Sequence, residues 1–146
     1  MSTLYEQAGG AAGMLALSHA WHRRCLADPV AAHPFEHPGH PQHVERLAAY
    51  WGEALGGPAT YSETMGDETH VSRMHAGEGE HVELDAACIA CFDGAMTDVG
   101  LTEPALRGAL HDYFVWSTGR LSAFPSDREL VPDGMGVPRW TTAGGA

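Results

Sequence analysis

The run Met14-Leu15-Ala16-Leu17-Ser18-His19-Ala20-Trp21-His22-Arg23-Arg24-Cys25-Leu26-Ala27-Asp28-Pro29 decides the fold class. Met14, Leu17, Ser18, Trp21 and Cys25 recur at steps of three and four, which places them along one face of a helix. Asp28-Pro29 ends it, because the residue before a proline avoids the helical region. The same spacing returns in Val44, Leu47, Tyr50, Trp51, Ala54 and Leu55, closed by the glycine stop and proline of Gly56-Gly57-Pro58. It returns in Leu84, Cys88, Cys91, Phe92, Ala95 and Val99. A fourth series, Leu106, Leu110, Tyr113, Phe114, Ser117, Leu121 and Phe124, follows Thr102-Glu103-Pro104, with proline in its first turn. Strand-like alternation of useful length and internal repeats are both absent from the sequence, so the expectation is an all-α domain of four helices with an irregular middle.

The irregular parts are equally legible. From His33 to Pro41 the density of prolines forbids regular structure, and the chain must turn a corner there, carrying Phe35. Residues 59–82 show no sustained period and read as loop, with at most a short helix before His75. Pro125 to Ala146 is rich in Pro, Gly and Asp and reads as an irregular extension that Trp140 anchors. The expected division is therefore a domain over residues 1–124 and an extension over 125–146.

Composition narrows the function classes. The 146 residues suit one domain with one core, and 44% apolar content argues against disorder. Eight basic residues, all arginine, stand against 19 acidic ones, a net charge of -11 that repels phosphate backbones and anionic lipid. Nucleic acid and membrane are not expected partners. Met1-Ser2-Thr3-Leu4-Tyr5-Glu6 lacks the basic and apolar regions of a secretory signal, which predicts a cytoplasmic protein. The three cysteines are expected to be reduced thiols. Cys88-Ile89-Ala90-Cys91 lacks the following histidine of haem attachment and a second C-x-x-C for zinc, so packing outweighs redox chemistry there.

Ten histidines are the unusual feature, four of them at 33, 37, 40 and 43. Imidazoles suit divalent metals, so this segment could be a haem-free metal-binding module. The prolines between them hold the backbone extended and scatter the rings, which favours a solvated loop. His43 differs, because Leu47 and Tyr50 at steps of four and seven turn it inward, and an inward imidazole needs a partner. His22 sits at the edge of the first helix's core face, and His75 lies between Met74 and Ala76 without a helical pattern. His19, His70, His81 and His111 read as surface residues. No Ser-His-Asp set, phosphate loop or paired-carboxylate site can be placed on one face.

Taken in order, Leu4-Tyr5-Glu6-Gln7-Ala8-Gly9-Gly10, Ala27-Asp28-Pro29-Val30, Pro34-Phe35, Gly56-Gly57-Pro58-Ala59-Thr60-Tyr61-Ser62-Glu63 and Arg73-Met74-His75-Ala76 resemble the truncated haemoglobins, most closely the second group. Gly-Gly-Pro-x-x-Tyr-Ser-Glu is the most specific piece, and the likeness spans about residues 4–124. It implies a two-over-two helical sandwich around haem b, with His75 as the proximal iron ligand. Phe35 would pack on the haem, His43 would stand at the distal position and Leu47 would roof the iron. Arg46 and Tyr61 would meet the propionates, and Tyr50, Arg73 and Cys88 complete the implied haem contacts.

Departures from the family pattern set the expected chemistry. His22 stands where the family usually has a distal tyrosine, and Cys88 where the second group has a large tryptophan. Gly77-Glu78 replaces Pro-Phe, and one extra residue lies between Gly66 and His75, with His70 the nearby substitute ligand. His43 followed by Leu47, Tyr50 and Trp51 also resembles the third group. The resemblance implies oxygen, nitric oxide, carbon monoxide or peroxide as ligands. Two distal histidines, His22 and His43, would carry redox or detoxifying chemistry rather than storage: oxidation of nitric oxide or reduction of peroxide, with electrons from a reductase. A monomer or homodimer is expected. The remaining alternative, an interaction protein whose histidines do no chemistry, predicts no stoichiometric cofactor.

Overall fold

The computed structural model describes residues 2–36, 39–77 and 81–140. Among the described residues there are seven α-helices and no strand: α1 (Leu4–Gln7), α2 (Gly10–Ala27), α3 (His43–Ala54), α4 (Thr60–Thr64), α5 (Glu68–His75), α6 (Val82–Asp98) and α7 (Pro104–Leu121). The four long periodic stretches are α2, α3, α6 and α7. α2 lies on α3 and α6, and α6 lies on α7, so one pair of helices faces another. None of the described helices is long and apolar enough to cross a membrane.

One aromatic ring from each long helix meets at the centre. Trp51 of α3 sits 5.7 Å from Trp21 of α2, 5.3 Å from Phe92 of α6 and 5.9 Å from Phe114 of α7, edge to face in each case. Phe92 and Phe114 stack at 4.2 Å. Such pairs add about 0.5–1.5 kcal/mol each beyond the area they bury, and here they also fix how the two helix pairs cross.

Helix boundaries follow local chemistry. Asp28 Oδ1 accepts the N–H groups of Val30 and Ala31, both at 2.9 Å, which turns the chain at the end of α2. Pro104 opens α7 while the Glu103 carboxylate accepts from the Ala105 and Leu106 amides. After α3, Gly56 adopts φ +101°, a left-handed conformation that a side chain would resist. At Gly57 a Cβ would lie 2.7 Å from the Tyr5 ring, so the first and the most specific of the recognised sequence strings meet there. The buried Glu53 carboxylate accepts from the Ser62 amide at 2.8 Å and from the Ser62 hydroxyl, holding the start of α4 to the end of α3.

Three expectations are corrected. The corner after α2 is not wholly irregular, since His33–Glu36 forms a 3-10 turn, a conformation compatible with the fixed φ of a proline such as Pro34. The region 59–82 holds two helices rather than at most one, and His75 ends α5 instead of lying in a loop. Its helical period was hidden because α5 buries Glu68, Thr69 and Ser72 beside Val71, polar residues that a hydrophobic count passes over. The short α1 was also unforeseen, although Thr3 and Glu6 form a reciprocal capping box at its start. The extension returns to the body, with Trp140 6% exposed and its amide donating to Ala54 O at 2.6 Å.

Glu68 is 1% exposed, and both its carboxylate oxygens accept from Tyr50 Oη, at 2.7 and 2.8 Å. Burial lifts its pKa above the ordinary 4.5, opposed by the Tyr50 hydrogen bond and the Arg120 charge. A raised folded-state pKa means that the stability this group contributes is complete below 4.5 and is lost as pH rises through the folded value. Glu68→Gln is therefore expected to gain on the wild type progressively across that rise, and urea denaturation from acid to neutral pH measures the difference. A constant difference would show that the carboxyl does not titrate with folding.

Candidate functional site: a histidine pair and an oriented imidazole

The expected distal residues come together. The His22 ring lies 5.3 Å from His43 and 4.9 Å from Phe35, and Phe35 lies 5.4 Å from His43. Trp21 positions this cluster: its ring meets Phe35 at 5.9 Å, and its indole N–H donates to Cys88 O at 3.1 Å, tying α2 to α6. His43 opens α3, and its Nε2 is buried without a hydrogen-bond partner among the described residues. Burial lowers the pKa of both imidazoles, reinforced at His43 by His22 and at His22 by His19. Both are therefore neutral at pH 7, each with one donor and one acceptor nitrogen. Leu47, one turn after His43, packs half-buried against the core.

His75 occupies the last turn of α5, and its Nδ1 lies 2.8 Å from Val71 O. A carbonyl only accepts, so Nδ1 carries the proton and a neutral ring leaves the Nε2 lone pair bare. His75 is exposed as a residue, while desolvation of its ring, opposed by the Val71 hydrogen bond, lowers its pKa. His70, the substitute ligand, is exposed and five residues away on α5, on a different face.

The other expected contacts divide. Arg46 donates to Met65 O at 3.1 Å and lies 5.8 Å from the centre of the Tyr61 ring; among the described residues it pairs with no carboxylate. Tyr61 is buried with its ring 5.4 Å from Tyr50, whose own hydroxyl is engaged by Glu68. Arg73 faces the C-terminal extension, donating to Val131 O at 3.2 Å and pairing with Asp133. Cys88 is half-buried and Cys25 fully buried, and all three cysteines are free. Sequence reasoning did not find Glu68, whose only sign was an acidic residue among polar neighbours. His81 and His111, expected on the surface, are partly buried partners of Asp85 and Asp93, at 2.8 and 2.7 Å.

The histidine-rich segment does not converge where it is described. His33 is exposed 3.3 Å from Glu36, and His40 is exposed with its Nδ1 accepting from the Gln42 amide; His37 lies outside the described residues. No group of three metal-ligating side chains occurs among the described residues. An open cleft of about 600 Å³ lies between the end of α2 and the start of α6, lined by Val30, His33, His81 and Leu84 among others. His22, His43 and His75 are not among the residues that line it.

Comparison with known proteins shows the family of the chain. The model of the bacterial-like globin family matches residues 3–113. The chain is similar in structure to a haemoglobin of Chloroflexus aurantiacus, at 26% identity and a TM-score of 0.70 over 83% of this chain and 98% of that one. It is also similar to the haemoglobin of Thermobifida fusca, at 24% identity and a TM-score of 0.70 over 86% of this chain and 100% of the other. The group II truncated haemoglobin of Bacillus anthracis shares the fold at 18% identity, with a TM-score of 0.74 over 87% of this chain and 95% of that one. No curated protein matches. A globin family carries with it haem and small diatomic ligands such as oxygen. From the family match and the shared arrangement of helices it follows that the chain belongs to the bacterial-like globins and folds as the group II truncated haemoglobins do.

Proposed function

We propose that this globin holds haem b through His75 and uses His22 and His43 for redox or detoxifying chemistry on small ligands, oxidising nitric oxide with dioxygen or reducing peroxide. The single observation that carries the reading is the His75 Nδ1 contact with Val71 O, which leaves Nε2 as a bare, oriented donor of an electron pair. The His43 Nε2, without a partner among the described residues, is the second sign of fit, since such a buried polar atom suits a site built for a polar guest. When bound, haem b supplies a redox-active iron that takes diatomic ligands or peroxide.

Each residue then has a physical task. Val71 O fixes the His75 tautomer and raises the basicity of the ring. His22 and His43, neutral and 5.3 Å apart, offer hydrogen bonds to a guest that develops negative charge. Phe35 and Leu47 supply apolar surface that excludes water. Arg46 keeps guanidinium donors beyond its bond to Met65 O, and these suit a propionate, with the Tyr61 phenol beside them. Converting nitric oxide and dioxygen to nitrate takes one electron from outside, and reducing peroxide to water takes two. Either activity needs an electron-donating reductase.

Haemin titration tests the ligand assignment. The wild type is expected to give a strong absorption band that shifts with carbon monoxide in the ferrous form. His75→Gly should lose that band and regain it when free imidazole is added, whereas a full band in the variant alone would dismiss His75 as the ligand. Replacing His22 with Phe and His43 with Leu together should speed oxygen loss by about 30-fold if each donor contributes about 1 kcal/mol, and should speed autoxidation as well; stopped-flow and spectral decay measure both. Unchanged rates would remove the pair from the mechanism. In the apoprotein, His43→Leu should raise the unfolding free energy by about 1 kcal/mol, because it removes a buried nitrogen that has no partner. Chemical denaturation without haem gives that figure, and a loss of stability would contradict the unpaired state.

A further inference from the structure

The chain beyond α7 folds back along α5 and holds it from end to end. Phe124 O accepts the Gly77 amide at 2.9 Å, and the Arg128 guanidinium donates to Arg73 O at 3.2 Å, just beside His75. Arg73 in turn donates to Val131 O at 3.2 Å and pairs with Asp133. At the start of α5, the Thr69 hydroxyl donates to Pro132 O at 2.7 Å and accepts the Met135 amide at 2.8 Å, while Met135 O accepts the Glu68 amide at 3.0 Å. Val131 is 2% exposed beneath this layer.

α5 needs such support. It has eight residues, well short of the roughly 12–15 at which an isolated helix is even marginal, and Val71 is its one buried apolar side chain. Glu68 on Tyr50 and packing on α7 also tie it to the core. Short polar helices of this kind open locally at low free-energy cost unless something external holds them. The Trp140 amide on Ala54 O, with its ring 4.8 Å from Trp116, closes the far end of the extension onto the body.

From these contacts we infer that residues 124–135 form a strap that positions His75, keeping α5 helical, so that Val71 O orients the imidazole, and in one setting against the body. The inference rests on His75 being the haem ligand, but its effect on α5 exists without haem. Thr69 on α5 and Asp133 on the strap are positioning residues, acting on His75 through α5. Loss of the strap should let the ring sample several orientations.

Thr69→Val removes both hydroxyl bonds at near-constant volume, Asp133→Ala removes the Arg73 pair, and Thr69→Ser restores the hydroxyl. In the full-length apoprotein, the Thr69→Val/Asp133→Ala variant should exchange the amide hydrogens of residues 71–76 about tenfold faster or more, with α3 unchanged, and Thr69→Ser should match the wild type. In the haem-loaded ferrous protein the same double variant should broaden or shift the iron–histidine stretching band and release haem several-fold faster to an acceptor globin. Faster exchange with an unchanged band and haem release would reduce the strap to a scaffold and overturn the proposal, as would unchanged exchange in α5. If the wild type takes up no haem, the reading of His75 falls, and with it the positioning role, while the exchange result still reports on whether the strap holds α5.

Discussion

The meeting of Trp21, Trp51, Phe92 and Phe114, one ring from each long helix, is the constraint on which the rest of the molecule depends. Two helix pairs can cross in many ways, and edge-to-face and stacked contacts select the crossing in which all four rings close on each other. His22 follows Trp21, and His43 opens the helix that carries Trp51 two turns on, so the same crossing delivers both imidazoles to one cluster with Phe35. The indole N–H of Trp21 on Cys88 O locks α6 into that arrangement. Cys88 thus belongs to the framework that joins α2 to α6.

α5 is held by different physics. α5 turns a largely polar face inward, with Glu68 on Tyr50 and Thr69 on the returning chain. Hydrogen bonds are directional, so they hold a helix in one rotational setting more narrowly than apolar contact does, and the setting of α5 decides where the His75 ring points. A buried carboxyl carries a desolvation cost, visible in the raised pKa of Glu68. The molecule thus joins a well-packed aromatic centre to a short helix, α5, held mainly by polar contacts, an unequal distribution of stability common at sites that accept a guest.

The four long helices were legible because their core faces are apolar at helical spacing. Pro, Gly and Asp marked their ends, and the structure returns Asp28, Gly56 and Pro104 in those roles. The string from Gly56 to Glu63 was recognisable as a motif, but its reason is spatial: Gly57 admits the Tyr5 ring, and Ser62 satisfies Glu53. α5 was not legible, since periodicity counts hydrophobic residues and this helix buries polar ones. Tyr50 and Arg73 were expected at the cofactor, and the structure engages the first with Glu68 and the second with the extension.

By itself the sequence determined the helical class, the four long elements and the residue types available to a haem site, because these depend on local spacing and on the chemistry of single side chains. Tertiary structure alone decided that His22, Phe35 and His43 share one cluster, that His75 carries its proton on Nδ1, and that the C-terminal extension braces α5. Each of these depends on a partner distant in sequence or on a carbonyl whose direction exists only once the helix has formed. No pattern along the chain encodes such a partner until packing brings it within hydrogen-bonding distance.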